Sequence, residues 1–242
     1  MENEHLAAYK ATRAAFEACL EKHLAAGVVF LSPDGILIDD TVEIAPGATI
    51  LPGTILRGAT KIGKGSVIGP NSLLEDAVVG ENVRFNASQG YRCVIKDGAA
   101  IGPFSHIRPD SVICENAHLG DFVEIKNSTI GAWTSVSHLT YVGDSDVGTG
   151  CNFGCGVAVA NYDGAGKNRC VIGDYAFIGC NTNLVAPVHI GDGAYTAAGS
   201  TITSDVENEA LGIARARQVN KPGWAKERLA AYIAKQKAKQ KK

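Results

Sequence analysis

IGPFSHIRPDSVICENAHLGDFVEIK, residues 101–126, decides the fold. Ile101, Ile107, Ile113, Leu119 and Ile125 stand six residues apart, with small or polar residues filling the spaces between. The same count runs upstream through Ile44, Ile50, Leu56, Ile62, Ile68 and Leu74. It runs downstream through Ile172, Ile178, Leu184 and Ile190, with Thr196 and Ile202 in phase. Gly often follows the aliphatic residue, as in Ile62-Gly63, Leu119-Gly120 and Ile178-Gly179. A period of six fits neither a helix of about 3.6 residues per turn nor a two-faced strand, but it fits short strands joined by tight corners in a parallel β-helix. One aliphatic side chain per face then enters a narrow core, and coils stack about 4.8 Å apart.

The chain has 242 residues, enough for one extended domain with terminal appendages. The expected division is an N-terminal helix over 1–27, the repeat domain over 28–206, and an arm with a basic helical tail over 207–242. The 28 Gly and an aromatic content of 7% suit tight corners around a narrow core. A net charge of −2 argues against a surface built for nucleic acid or an anionic membrane. MENEHLAAYK lacks the blocks of a signal peptide, and no apolar run approaches the roughly 18 residues of a membrane span, so a cytoplasmic protein is expected. Seven cysteines without a C-x-x-C pair read as small buried residues rather than a disulfide framework or metal site.

Residues 2–26 predict an amphipathic helix, with Leu6, Tyr9, Phe16, Leu20 and Leu24 near one face and Gly27 placed to end it. Two stretches depart from the sixes, and interruptions of a regular solenoid are where loops can carry function. In Gly80 to Lys96 the phase slips, and Phe85, Tyr91 and Arg92 appear. Between Val159 and Val171, the run from Asn161 to Arg169 cannot form a buried rung and is expected to project. A short helix from Trp224 to about Lys237 precedes a solvated basic tail.

Arg108 and Lys126 each follow a core position and lie 18 residues apart, one expected turn of three hexads. Like charges on adjacent rungs repel, so the pair reads either as two solvated corner residues or as a seat for an anion such as phosphate. His138 is the side-chain type best matched to proton removal near neutral pH, although a lone histidine is more often structural. The four histidines of the repeat region are not separated by multiples of 18, which argues against a metal face.

The hexapeptide pattern resembles the left-handed β-helix acyltransferases. More specifically, five segments occur in order: Gly102-Pro103-Phe104 with Arg108-Pro109, Gly120 to Lys126, His138 to Asp144, Asn161-Tyr162-Asp163-Gly164 with Lys167, and Leu184 to Pro187. Together they resemble the acetyltransferase half of the bifunctional bacterial enzyme that makes UDP-N-acetylglucosamine. The resemblance implies acetyl-CoA-dependent N-acetylation of glucosamine 1-phosphate, with His138 as general base and Glu124 as a nearby orienting carboxylate. It implies that Arg108, Lys126, Tyr141, Asn152 and Lys167 bind the sugar phosphate, with Asn161 a further polar contact to the sugar. It places Cys155, Asn161, Tyr162, Cys180, Ala198 and Arg215 at acetyl-CoA, with backbone N–H groups near Cys155 and Gly156 facing the thioester oxygen. It further implies a homotrimer with sites shared between neighbours.

No Gly-rich nucleotide loop opens the chain, so neither uridyltransferase activity nor UTP nor catalytic magnesium is expected, and no metal is required. Smaller departures from the family pattern are Asp110 for Gly, Asp121 for Asn, His106 for Arg, Ser135 for Lys, and Cys155, Cys170 and Cys180 for Ala, Thr and Ser. They make the neighbourhood less positive. Two other readings remain: an acetyltransferase for a different amino-sugar phosphate or nucleotide-linked amino sugar, and a non-catalytic trimeric scaffold that partners a separate uridyltransferase.

Overall fold

A computed structural model describes residues 3–240; residues 1, 2, 241 and 242, which include ends of the expected N-terminal helix and basic tail, lie outside the described residues. Between Val29 and Gly212 the chain winds through three parallel sheets, A, B and C, of eleven, ten and nine strands. Up to Ile202 successive strands visit the sheets in turn, so each sheet collects every third strand, and the last strand, Leu211–Gly212, joins sheet A directly. In sheet B, His106 pairs with Glu124 and Ile107 with Ile125, and the Arg108 N–H donates to the Ile125 carbonyl at 2.8 Å. The hexad residues are the core: Ile50, Leu56, Ile68, Leu74, Ile107, Ile113, Leu119 and Ile125 are fully buried. Each such side chain contributes about 1.5–3 kcal/mol through burial, and it is buried only because the coils on either side cover it.

The stretch Gly80 to Lys96 does not project. Arg84 pairs with Val67 and Ala100, and Gln89 with Leu73 and His106, so these coils are one or two residues shorter than the eighteen between Ile107 and Ile125. Phe85 takes the core position between Ile68 and Ile101, and Gly90 the one between Leu74 and Ile107. A Cβ on Gly90 would lie 2.8 Å from Leu74 Cδ2 and 3.5 Å from Phe85 Cζ. The ring fills the space of the missing side chain, so the slipped phase is a packing exchange and not a functional loop.

The second departure does leave the solenoid, between the strands Ala158–Ala160 and Cys170–Ile172. Its exposed hairpin is tied by a Tyr162–Lys167 bridge. Asp163 accepts backbone N–H bonds from Gly166 at 2.7 Å and Ala165 at 2.8 Å, and one from Asn168 Nδ2 at 3.0 Å. These donors, which favour the charged carboxylate, pull its pKa down to about 2.

Helix α1, Glu4–Ala25, is capped by Asn3, whose side chain accepts from the His5 N–H at 2.9 Å. It packs on the first coils through Cys19, His23, Phe16 and Leu20, while Leu6, Tyr9 and Leu24 of the expected apolar face stay exposed. Helix α2, Lys226–Lys239, buries no residue, and Arg228 lies 4.4 Å over the Trp224 ring. No described helix is long and apolar enough to cross a membrane. All seven cysteines are free, but only Cys19, Cys93, Cys151 and Cys170 are buried; Cys114 and Cys155 are partly covered and Cys180 is exposed. Burial pushes the Cys93 thiol up to about 12 and Cys170 to about 11.

Candidate functional site

Sheet B carries a dense charged cluster on its outer surface. Register places Glu124 beside Tyr141 and Lys126 beside Gly143. Arg108 Nη1 meets Glu124 Oε1 at 2.7 Å, and Lys126 Nζ meets Asp144 Oδ2 at 3.4 Å. The stacked cations are therefore partly countered within the chain, and the repulsion expected from their spacing is relieved by two carboxylates.

Asp144 is the hub of this cluster. It is 3% exposed and accepts from Asn127 Nδ2 at 2.5 Å and from Asn161 Nδ2. Burial pushes its pKa up, but those amide donors and the Lys126 ammonium outweigh burial and hold it below the ordinary value. Asn161 Nδ2 also lies 3.4 Å from Tyr141 Oη. This crowding needs Gly143: a Cβ there would collide with Tyr141 Oη and stand 2.9 Å from Asn161 Nδ2.

The projecting hairpin brings Lys167 to Lys126. The nearness and charge of Lys126, followed by partial desolvation and the charge of Arg108, pull the Lys167 pKa down against the opposing pull of Asp144. Lys126 is held up, first by the bond to Lys167 and then by Asp144. Three cations, Arg108, Lys126 and Lys167, face two carboxylates, Glu124 and Asp144, leaving an excess of positive charge suited to an anion. Asp144 closes the sequence segment His138 to Asp144 but was given no role there, though a signal exists: it lies 18 residues after Lys126, one coil further on.

A second file of residues runs along the corner between sheets A and B. Asp121 pairs with His138, and successive coils are bonded by Leu139 N–H to Asp121 O at 3.0 Å, Gly156 N–H to His138 O at 3.2 Å, Asn181 N–H to Cys155 O at 2.8 Å and Gly199 N–H to Cys180 O at 2.8 Å. His138, Cys155, Cys180 and Ala198 therefore occupy the same corner position on consecutive coils. Arg215 lies over the last of them, its Cδ 3.9 Å from where a Cβ on Gly199 would sit. His138 is exposed, beside an apolar ridge of Phe104, Phe122 and Leu139 whose two rings stack at 5.4 Å. The Gly156 N–H is spent on His138 O, which leaves Cys155 as the candidate oxyanion donor of that pair.

The structure does not gather every expected residue. Asn152 lies on sheet A, in register with Ser135 and Phe177, away from the sheet B cluster. Asn161 is built into the Asp144 network, not onto the corner. Tyr162 is exposed at the base of the hairpin, its hydroxyl donating to Gly164 O at 2.8 Å. Glu124 places a carboxylate oxygen on Arg108.

Comparison with known proteins agrees with this architecture. The model of the bacterial transferase hexapeptide (six repeats) family matches residues 92–127 and 169–204. Among solved structures, a UDP-N-acetylglucosamine acyltransferase of Francisella novicida superposes with a TM-score of 0.54 at 19% identity, covering 77% of this chain and 67% of that one. One from Arabidopsis gives 0.50 at 18%, covering 77% and 70%. These likenesses show the fold, a left-handed parallel β-helix, and the two matched stretches carry the repeat of the bacterial transferase hexapeptide family. More particularly, the chain is a homologue of the bifunctional GlmU proteins over the part its motifs resemble: it is 52% identical over 204 residues to those of Clostridium novyi and Clostridium acetobutylicum, covering 84% of this chain. It spans 45% of the length of those relatives.

Proposed function

We propose that the protein transfers the acetyl group of acetyl-CoA to the 2-amine of glucosamine 1-phosphate, acting as a homotrimer. The observation that carries this reading is Lys167, brought by the hairpin to Lys126 and Arg108, with Arg108 and Lys126 on the two coils before the one that holds His138. A phosphate there meets three cations that Glu124 and Asp144 counter only in part. Binding the phosphate on the sheet B face orients the sugar amine toward the corner, and His138 takes its proton as the amine attacks, since a protonated amine has no lone pair to donate. The small residues Cys155, Cys180 and Ala198 line a file that ends at the Arg215 side chain, a fit for a narrow pantetheine arm with a phosphate-bearing end. Acetyl-CoA supplies the activated thioester, and this chain supplies position and charge.

Sharing of sites between copies is supported by the division of residues within one chain: Asn152 lies on sheet A and the cation cluster on sheet B, and a closed three-fold ring sets unlike faces of neighbours against each other. The test is incubation of purified protein with acetyl-CoA and either glucosamine 1-phosphate or glucosamine 6-phosphate, following loss of thioester absorbance. Turnover of the 1-phosphate, abolished in His138→Ala, supports the reading. Turnover retained in His138→Ala removes His138 as the base. Asp121 beside His138 favours one second reading, a less highly charged amino-sugar acceptor, and acetylation only of other amino sugars selects it.

A further inference from the structure

We propose that Cys155 and Cys180 form a redox-reactive dithiol that closes to a disulfide on reaction with a peroxide. Strand Asn152–Phe153 pairs with Phe177–Ile178, Asn152 opposite Phe177 and Phe153 opposite Ile178. On either side of the two cysteines the register is locked by Gly154 N–H to Ile178 O at 2.7 Å and Asn181 N–H to Cys155 O at 2.8 Å. Cys155 and Cys180 are therefore direct neighbours on adjacent coils. The spacing of about 4.8 Å between such neighbours falls within the roughly 4.4–6.8 Å of Cα separation that a disulfide bridges.

Side-chain placement favours the same closure. The Cys180 Sγ lies 2.8 Å from the point that a Cβ on Gly154 would occupy, so it leans across the rung toward the coil that holds Cys155, over a residue with no side chain to block it. Cys180 is exposed and Cys155 partly so, whereas Cys19, Cys93, Cys151 and Cys170 are buried. Cys114, also partly covered, has Lys96 and Glu115 for neighbours. Neither Cys155 nor Cys180 belongs to the buried core, so packing gives no reason for a thiol at these two positions.

The chemistry balances with hydrogen peroxide as oxidant. The Cys180 sulfur attacks one peroxide oxygen, the O–O bond breaks, and a sulfenic acid and water result. The Cys155 sulfur then attacks the sulfenic sulfur and expels hydroxide, which leaves as water with the thiol proton. Two thiols and one peroxide give one disulfide and two waters, and an excess of a small dithiol reverses the bridge. Because Gly156, next to Cys155, donates to the His138 carbonyl, the bridge forms on the coils that follow the proposed base and fixes the corner file. The consequence for acyl-donor access rests on the proposed function; the bridge itself does not.

The full chain is treated with hydrogen peroxide, remaining thiols are alkylated, and peptides are sequenced by mass spectrometry so that Cys155 is resolved from Cys151 and Cys180 from Cys170. The expected result is a Cys155–Cys180 cross-linked peptide two hydrogens lighter than its parts, lost on dithiothreitol treatment and absent from Cys180→Ser. Recovery of both residues as separate sulfinic or sulfonic acids, or as alkylated thiols with no cross-link, overturns the proposal; this readout needs only the unsubstituted protein. Acetyl-CoA binding measured before and after oxidation is expected to be lost and then restored by dithiothreitol. Binding unchanged by a mapped bridge refutes the effect on access. Absence of binding by the reduced protein instead refutes the functional reading, with the cross-link still deciding the dithiol.

Discussion

Asp144 shows how one buried carboxylate organises a surface. Replacing it with Asn keeps the volume but removes the charge that holds Lys126 and accepts from Asn127 and Asn161. Loss of charge-assisted bonds at a nearly buried position costs about 1–3 kcal/mol. Because the folded-state pKa is depressed, this stabilisation is present above the ordinary value of 3.8 and is lost as pH falls through the lower folded value. Urea midpoints of Asp144→Asn are expected to lie below those of the unsubstituted protein at neutral pH and to converge with them in strong acid. Lys167 gives a second test. Its lowered pKa makes it a better nucleophile than ordinary surface lysines, so limited acetic anhydride should label it early. Glucosamine 1-phosphate should protect it, because a bound phosphate favours the ammonium. Labelling of Lys167 at the rate of Lys221 or Lys235, with or without the sugar, contradicts the anion site.

At the scale of the element, α1 is docked by a histidine in an unfavourable setting. His23 is 3% exposed, and its Nε2 has no hydrogen-bond partner among the described residues. Burial first, and Lys22 second, lower its pKa. A histidine with a lowered folded pKa supports the docked state fully above its ordinary value near 6.5 and loses that support as pH falls below it, since protonation then favours the undocked form. Hydrogen exchange, corrected for intrinsic rates, is expected to accelerate in Glu4–Ala25 between neutral pH and about pH 5, with the solenoid strands unaffected. Equal acceleration in both would show that His23 does not control α1 alone. The hairpin from Asn161 to Arg169 and the coils around Phe85 make a complementary pair at this scale. Both break the count of six, yet only the first leaves the solenoid, because Gly90 opens room for the Phe85 ring in the core.

For the whole molecule, the proposed division of the site between sheet A and sheet B predicts function only in assemblies. Light scattering is expected to give three times the 25.3 kDa chain mass. Lys126→Ala and Asn152→Ala chains, each of low activity alone, should regain a fraction of activity when unfolded and refolded together, since mixed trimers contain sites with neither substitution. A monomer, or no recovery from mixed assemblies of confirmed composition, would argue that each chain holds a whole site.

The spacing of Ile101, Ile107, Ile113, Leu119 and Ile125 by itself determined the solenoid, because one aliphatic residue per face per coil is the sole way to bury that pattern. It also determined the stacking of Arg108 on Lys126, since in-register coils turn an 18-residue separation into adjacency, and the motifs singled out His138. What only the tertiary structure decided depends on coils whose lengths vary. Lys167 returned to Lys126 by the hairpin, Phe85 traded against Gly90, and Cys155 set against Cys180 across 25 residues of chain all follow from where the backbone closes each turn. Hydrophobic periodicity is read one residue at a time, whereas the partner of a polar side chain on the outside is set by the length of the coil between them.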